Sequence, residues 1–178
     1  NLGHPLLDPT KRVDNDITIT NEQFFIITGA NMAGKSTFLR TVALQIVMSN
    51  VGLPVCAQSC NYRPIKLITS MRTADSLGDD ASYFFAELSQ LKKIVEKLEE
   101  DEYFIILDEI LKGTNSKDKA SGSKKFVERL VNTTATGIIA THDLSLCEIA
   151  NELPQVQNRY FDAQIIQDEL YFDYKFKD

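Results

Sequence analysis

The stretch GANMAGKST, residues 29–37, contains the residue types that bind phosphate groups. It matches the pattern G-x-x-x-x-G-K followed by Ser or Thr, in which backbone N–H groups of a glycine-containing loop converge on phosphate oxygens. In this pattern Lys35 reaches the β- and γ-phosphates of a nucleoside triphosphate, and the Ser36 hydroxyl is a ligand of Mg²⁺. The alternative, a glycine turn with a chance lysine, is disfavoured by the strand and helix patterns on either side. The predicted ATP contacts are Gly29, Ala30, Asn31, Met32, Ala33, Gly34, Lys35, Ser36 and Thr37.

Two acidic residues follow a second informative stretch, the apolar run YFIIL at residues 103–107. Asp108 is placed to hold Mg²⁺, directly or through water, and Glu109 to orient and deprotonate an attacking water. An acidic residue after an apolar run is common by chance, so the roles of Asp108 and Glu109 are assigned only because the phosphate loop is also present. Together the two motifs predict an ATP-hydrolysing site in which Asp108 and Ser36 bind the metal, and Lys35 and Glu109 are catalytic.

His142 follows a third apolar run, GIIA at residues 137–140. The carboxyl ends of parallel strands meet at the sheet edge that carries the phosphate loop, so His142 is expected to contact the γ-phosphate or the attacking water. The alternative is that THDLS is a helix-capping turn in which Asp143 caps and His142 has no chemical role. The strand-end position favours the catalytic interpretation.

Alternating strands and helices are needed to position these residues. Apolar runs predict strands at 24–28, 54–57, 66–72, 103–107 and 137–140, and helical spacing predicts helices at 35–50, 84–98, 117–131 and 144–153. This alternation predicts an α/β fold of the P-loop NTPase type, with a mostly parallel β-sheet flanked by helices. Residues 158–166 and 169–176 predict a C-terminal antiparallel hairpin.

Composition limits the remaining possibilities. The 178 residues, 43% of them hydrophobic, fit a single domain spanning 1–178. The net charge is −6 and the basic residues are scattered, which argues against bulk electrostatic binding of nucleic acid by this segment. There is no apolar run of the ~20 residues that span a bilayer and no signal peptide, so we expect no membrane contact by this segment and a cytoplasmic location. We expect the three cysteines to be inert thiols.

The motifs also resemble a known family. GANMAGKST, LDEILKGTNS, ATHD and the opening GHP are similar, in order and approximate spacing, to the ATPase domain of the MutS mismatch-repair family. The corresponding family segments are G-P-N-M-G-G-K-S-T, M-D-E-x-G-R-G-T-S and A-T-H, and the similarity extends from His4 to about Asn158. The related ABC transporter ATPases are disfavoured because L-S-G-G-Q is absent. We therefore expect a MutS-like ATPase domain excised from a longer protein.

The resemblance assigns a role to residues 75–87, DSLGDDASYFFAE. Family members pair two ATPase domains head to tail, and a signature segment D-D-L-A-S-G-x-S-T-F-x-x-E completes the partner's phosphate site. Its gap-free alignment places Ser82 on the signature serine, which implies a homodimer with sites completed in trans and adds Ser82 to the catalytic residues. The Ser82 hydroxyl and the helix N-terminus can both donate hydrogen bonds to negative charge, which suits the partner's γ-phosphate. Asp79-Asp80 replaces the usual Ser-Gly, and two carboxylates repel a triphosphate unless they point away or cap the helix.

Other departures indicate a divergent MutS-like branch. Ala30 and Ala33 stand where Pro and Gly are usual, and Leu111-Lys112 replaces Gly-Arg. The family's adenine-stacking aromatic residue is replaced by Arg12 or Val13, and an Arg guanidinium can also stack on a base. The resemblance implies that ATP-coupled dimerisation drives DNA clamping by domains absent from this chain. The alternative is an ATP-gated MutS-like scaffold acting on a membrane or protein partner, which the full-length sequence would distinguish.

Overall fold

A central β-sheet with helices packed on both faces forms the body of the protein. The computed structural model describes residues 1–71, 80–110 and 116–178, with the backbone alone for 80–85 and 116–120. Its helices are α1 (Lys35–Asn50), α2 (Asp80–Leu98), α3 (Ser116–Val131) and α4 (Ile149–Glu152), the last preceded by a 3-10 helix (Leu144–Glu148). Its strands are β1 (Phe24–Gly29), β2 (Lys66–Ser70), β3 (Tyr103–Asp108), β4 (Thr136–Ala140), β5 (Val156–Phe161), β6 (Gln164–Ile166), β7 (Glu169–Tyr171) and β8 (Phe176–Lys177).

Six of these strands form the main sheet, in the order β2-β3-β4-β1-β5-β8. The first five are parallel, and β8 runs antiparallel to β5. This arrangement confirms the predicted α/β fold with a mostly parallel sheet. All five residues of β4 are buried, as are the first four of β1, because helices cover both faces of a parallel sheet.

Alternate residues of each strand belong to two separate apolar cores, because successive side chains point to opposite faces of a sheet. Phe24 and Ile26 pack in the core that includes α2 and α3 residues, whereas Phe25 and Ile27 pack in the core that includes α1 residues. The α2 face that enters its core consists of Leu91, Ile94, Val95 and Leu98. This is the spacing of three and four that the sequence shows.

The C-terminal hairpin is confirmed, but it is shorter than the predicted 158–166 and 169–176. Residues 158–161 belong to β5, which pairs in parallel with β1 over its whole length. Only β6 and β7 form the hairpin, and Gln167 and Asp168 turn between them with φ values of 51° and 63°. The physical reason is that β5 satisfies the backbone groups of β1 and buries Val156 and Phe161, which a solvent-exposed hairpin would not do.

Two other predictions need correction. Residues 54–57 are not a strand, because Ala57 makes only an isolated bridge with Leu2 and Pro54 lacks the N–H that a ladder requires. Residues 144–153 are not one α-helix, because the 3-10 helix covers 144–148 and α4 ends at Glu152. Among the described residues no helix is both long and apolar enough to cross a membrane.

Candidate functional site

The loop between β1 and α1 has a backbone that depends on glycine at two positions. Gly29 has a φ of 139°, and a Cβ atom there would lie 2.4 Å from the carbonyl oxygen of Phe161 on β5. Gly34 has a φ of 108° and precedes the first residue of α1. The close approach of the loop to β5 and the sharp entry into the helix therefore both require residues without a side chain.

Lys35 holds the loop together from inside. Its side chain is 6% exposed, and its Nζ donates hydrogen bonds to the carbonyl oxygens of Gly29 at 2.6 Å and Ala30 at 3.0 Å. Burial lowers the pKa of Lys35, and the nearby negative charge of Asp108 partly opposes this effect. The β3 carboxylate predicted to bind metal is thus electrostatically coupled to the loop lysine.

The N-terminus of α1 is suited to a negatively charged ligand. The first turn contains no acidic residue, and no side chain caps it. The first helical hydrogen bond is donated by Phe38 N to Gly34 O at 2.9 Å. Because the first N–H groups of a helix have no partner within it, Lys35, Ser36 and Thr37 present backbone donors and a positive helix dipole at one point.

The strand ends that carry the other candidates meet at this point. Glu109 N donates to Ala140 O at 2.9 Å, and Thr141 N donates to Ile27 O at 2.9 Å, so the pairing of β3, β4 and β1 continues to the site. Glu109 has a φ of 56°, an uncommon conformation for a non-glycine residue. Its Oε1 lies 2.6 Å from Nε2 of His142. Asp143 accepts a hydrogen bond from Ser145 N at 3.0 Å, so the capping turn and the His142 contact coexist.

A cavity of about 340 Å³ brings most of the predicted site residues together. Those that line it are Ala30, Asn31, Met32, Gly34, Lys35, Ser36, Thr37, Glu109 and His142. Three do not: Gly29 contacts β5, Ala33 is buried in the core, and Asp108 lies at the end of β3. Asp79 and residues 111–115 lie outside the described residues. Asp80 and Ser82 lie in the first turns of α2, and their side chains also fall outside the described part.

The opposite wall of the cavity comes from the two ends of the chain, which the sequence predictions largely missed. His4, Lys11, Arg12 and Asn15 line it from the N-terminal side, and Tyr174 lines it from the C-terminal side. Arg12 is one of the two residues that the sequence places at the base-stacking position. Its Nε donates to Asp14 Oδ1 at 2.8 Å and its Nη1 to Cys56 Sγ at 2.9 Å, so the guanidinium is already engaged.

His4 and Tyr174 are the ring-bearing residues that approach the loop from this wall. Nδ1 of His4 accepts a hydrogen bond from Leu6 N at 3.2 Å, and burial followed by the charge of Arg40 lowers the pKa of His4. The neutral ring therefore carries its proton on Nε2. The Tyr174 ring lies beside the loop between β1 and α1, with Cδ1 3.2 Å from the position of a Cβ on Gly34. The only sequence signal for Tyr174 was its place in the aromatic run before the final strand.

The parallel sheet, the glycine loop and the helix that begins at Lys35 define a P-loop NTPase-like fold. The family model for MutS domain V matches residues 25–178. This chain belongs to the MutS family and corresponds to MutS domain V.

Several relatives support this assignment. MutS protein homolog 4 of Homo sapiens is 33% identical over 169 residues, which cover 92% of this chain and 18% of that protein. DNA mismatch repair protein MutS of Thermotoga petrophila is 35% identical over 161 residues, 88% of this chain and 20% of that protein. DNA mismatch repair protein MutS 2 of Halobacterium salinarum is 31% identical over 176 residues, which cover 96% of this chain and 20% of that protein. The chain thus spans about a fifth of the length of these relatives.

Proposed function

We propose that this chain binds and hydrolyses ATP as part of a MutS-family DNA mismatch repair protein. The observation that carries the proposal is the cavity of about 340 Å³, which joins the glycine loop, Glu109 and His142. Its volume falls in the range of about 300–1,000 Å³ that is usual for small-molecule sites. Three groups of residues are proposed to contact the phosphates, the attacking water and the base, respectively.

The phosphates are bound by the loop and the first turn of α1. The backbone N–H groups of Lys35, Ser36 and Thr37 donate to phosphate oxygens, and the Lys35 ammonium adds a full positive charge. The proposed Mg²⁺ ligands are the Ser36 hydroxyl and the Asp108 carboxylate, which are the hard oxygen donors this ion prefers. When bound, Mg²⁺ neutralises charge on the phosphates. The coupling between Asp108 and Lys35 supports a short distance from this carboxylate to the loop.

Glu109 and His142 are proposed to act on the attacking water. The Glu109 carboxylate accepts the water's proton as the oxygen attacks the γ-phosphorus, and the bond to the β-phosphate oxygen breaks. The His142 contact at 2.6 Å holds the carboxylate in one orientation. The side chain of Glu109 is only 18% exposed, so it works in a partly water-excluded position where electrostatic effects are strong.

The base is proposed to lie between the walls contributed by the chain ends. Tyr174 offers a ring face, and aromatic stacking accepts any base. His4 offers an Nε2–H donor to the ring nitrogens or the ribose. The Arg12 guanidinium contributes one side of the wall and is kept in place by Asp14 and Cys56.

The wider cycle rests on the family assignment. We propose that two ATPase domains form a homodimer in which Ser82 of one subunit completes the other's site, and that ATP-driven closure clamps DNA through domains outside this chain. Two of the relatives are named as DNA mismatch repair proteins, which supports the DNA role. The predicted cytoplasmic location belongs to the same proposal.

The decisive test is ATP binding and turnover by the purified chain with Mg²⁺. Lys35→Ala is expected to reduce kcat/KM by at least about 100-fold, because one preorganised electrostatic contact to the reacting group is lost. The control is Lys92→Ala, an exposed residue of α2 whose only described ion pair is with Glu96. A wild-type protein that neither binds nor hydrolyses ATP would refute the proposal.

The shared site has its own test in the same assay. Turnover per molecule is expected to rise with protein concentration, and Ser82→Ala is expected to remove that rise. Turnover per molecule that is independent of protein concentration would count against the shared site.

A further inference from the structure

One asparagine joins the two ends of the chain beside the proposed nucleotide site. Asn15 Nδ2 donates to the carbonyl oxygen of Tyr174 at 3.0 Å, and Phe176 N donates to Asn15 Oδ1 at 2.8 Å. The backbone of Asn15 also exchanges two hydrogen bonds with Leu2, at 2.7 and 3.0 Å. Both the side chain and the backbone of this residue are therefore used, and three separate stretches of chain meet at it.

The two side-chain bonds flank Lys175 and begin at the carbonyl of Tyr174, a residue with an uncommon backbone conformation. Tyr174 has a φ of 55°, and a bulky side chain in this region persists only where the surroundings hold it. Asn15 fixes the carbonyl of Tyr174 and the N–H of Phe176, two residues further on. These two bonds hold the carbonyl side of Tyr174 and the backbone that follows it against the N-terminal segment.

The other anchors of this tail, residues 172–178, act on Phe176 and on the turn at Tyr174, across which Lys175 N donates to Asp173 Oδ1 at 3.0 Å. The strand β8 pairs with Tyr160 and Phe161, and the Phe176 ring stacks on Phe38 with centroids 4.6 Å apart. Lys175 Nζ donates to Asp14 O at 2.9 Å. The Tyr174 ring itself has a tilted contact with Phe172 at 6.1 Å and is 45% exposed. These ring contacts therefore do not set the orientation of the Tyr174 side chain, which depends on the backbone conformation of Tyr174.

We propose that Asn15 is a positioning residue for the nucleotide base. It locks the tail onto the N-terminal segment so that Tyr174 is preorganised to stack on the base. Asn15 acts through Tyr174 and not on the phosphates. This inference rests on the proposed ATP site and assigns its base affinity to a contact between the chain ends.

The test compares ATP with inorganic tripolyphosphate, which has the phosphates but no base. Asn15→Ala is expected to weaken ATP binding about tenfold, the scale of one lost base–aromatic stack, and to leave tripolyphosphate binding unchanged. Asn50→Ala is the matched control. Asn50 also bridges backbone with both side-chain atoms, donating to Ile65 O at 2.9 Å and accepting from Ile65 N at 3.3 Å, but it does not line the cavity. It is expected to change neither affinity.

A double-mutant cycle identifies the residue through which Asn15 acts. Tyr174→Ala is expected to lose the same tenfold, and the double variant to lose no more, because each change removes the same stack. The chain contains no tryptophan, so Tyr174→Trp provides a single fluorescent reporter. Adding Asn15→Ala to that protein is expected to shift the emission to longer wavelength without nucleotide, and Asn15→Asp to shift it less because it keeps the acceptor for Phe176 N. Because this emission shift is measured without nucleotide, it still reports the position of residue 174 if Asn15→Ala binds ATP poorly through a loss of stability.

The possible results separate the two proposals. If the wild-type protein binds neither ATP nor tripolyphosphate, the ATP site itself is refuted, and this inference with it. If the wild-type protein binds both but Asn15→Ala binds ATP normally, loses both ligands equally, or adds its effect to that of Tyr174→Ala, the positioning role is refuted and the ATP site stands.

Discussion

Replacing Gly29 by alanine tests whether the phosphate loop depends on its close approach to β5. The added Cβ would lie 2.4 Å from the carbonyl oxygen of Phe161 and 3.2 Å from its carbonyl carbon and nitrogen. All three are backbone atoms, so no side chain can rotate away. The residue must also keep a φ of 139°, a region essentially restricted to glycine.

The two effects set the expected loss of stability. An unfavourable backbone conformation costs about 1–3 kcal/mol, and forcing an extra carbon into a packed contact costs about 1–3 kcal/mol more. For a protein of 150–250 residues, each kcal/mol lowers the melting temperature by about 2–4 °C. Gly29→Ala should therefore lower the melting temperature by roughly 10 °C.

Two other glycines separate these effects in the same thermal unfolding assay. Gly52 has a φ of 72° and nothing within 4 Å of its added Cβ, so Gly52→Ala reports the backbone cost alone. At Gly137 no unusual φ applies, but the Cβ would lie 2.8 Å from both the Ile105 carbonyl oxygen and the Phe24 ring, so Gly137→Ala reports crowding alone. Each should lower the melting temperature less than Gly29→Ala does.

A melting temperature for Gly29→Ala equal to that of Gly52→Ala would refute the reasoning, because the contact with Phe161 would then cost nothing. If the reasoning holds, ATP affinity should fall as well, since Phe161 lines the cavity and must move away from the loop.

Two further predictions concern the site. Glu109→Gln should lower kcat by about 100-fold or more, because it removes a proton acceptor, and should change the ATP dissociation constant less than about threefold, because it keeps the shape of the side chain. Steady-state kinetics measures kcat and isothermal titration measures the dissociation constant. An unchanged kcat would exclude Glu109 as the base. Burial and the charge of Arg40 lower the pKa of His4 in the folded protein, so the unfolded chain binds a proton at His4 more readily than the folded protein does. The contribution of His4 to the free energy of unfolding should therefore become less favourable as the pH falls below the ordinary histidine pKa of about 6.5. Melting temperatures at about pH 7.5 and 5.5, on either side of that pKa, should differ less in His4→Gln than in the wild-type protein, and an equal or larger difference would contradict this assignment.

The sequence predicted the parts of the site that depend on local pattern. The glycine positions of residues 29–37, the apolar run before Asp108 and the strand before His142 each lie within a few consecutive residues. Parallel strands bring their carboxyl ends to one edge, so the order of strands and helices along the chain is enough to place these segments together. The helical spacing of Leu88, Leu91, Val95 and Leu98 predicted part of the α2 core face, but Leu88 is 38% exposed and Ile94 enters the core instead.

The parts that the sequence did not reveal depend on contacts between distant residues. Residues 158–161 have the alternation of a hairpin strand, and only the open edge of β1 decides that they join the main sheet as β5. Asn15 and Tyr174 are 159 positions apart, and no periodicity or motif links them.

The sequence by itself therefore determined strands β1, β3 and β4, the glycine loop before α1 and the carboxylates at the end of β3, because repeating apolar patterns and short motifs encode them locally. Only the tertiary structure decided how the wall opposite the loop is built. That wall forms where residues 2–15 and 172–178 meet beside the loop, through the hydrogen bonds of Asn15 with Tyr174 and Phe176.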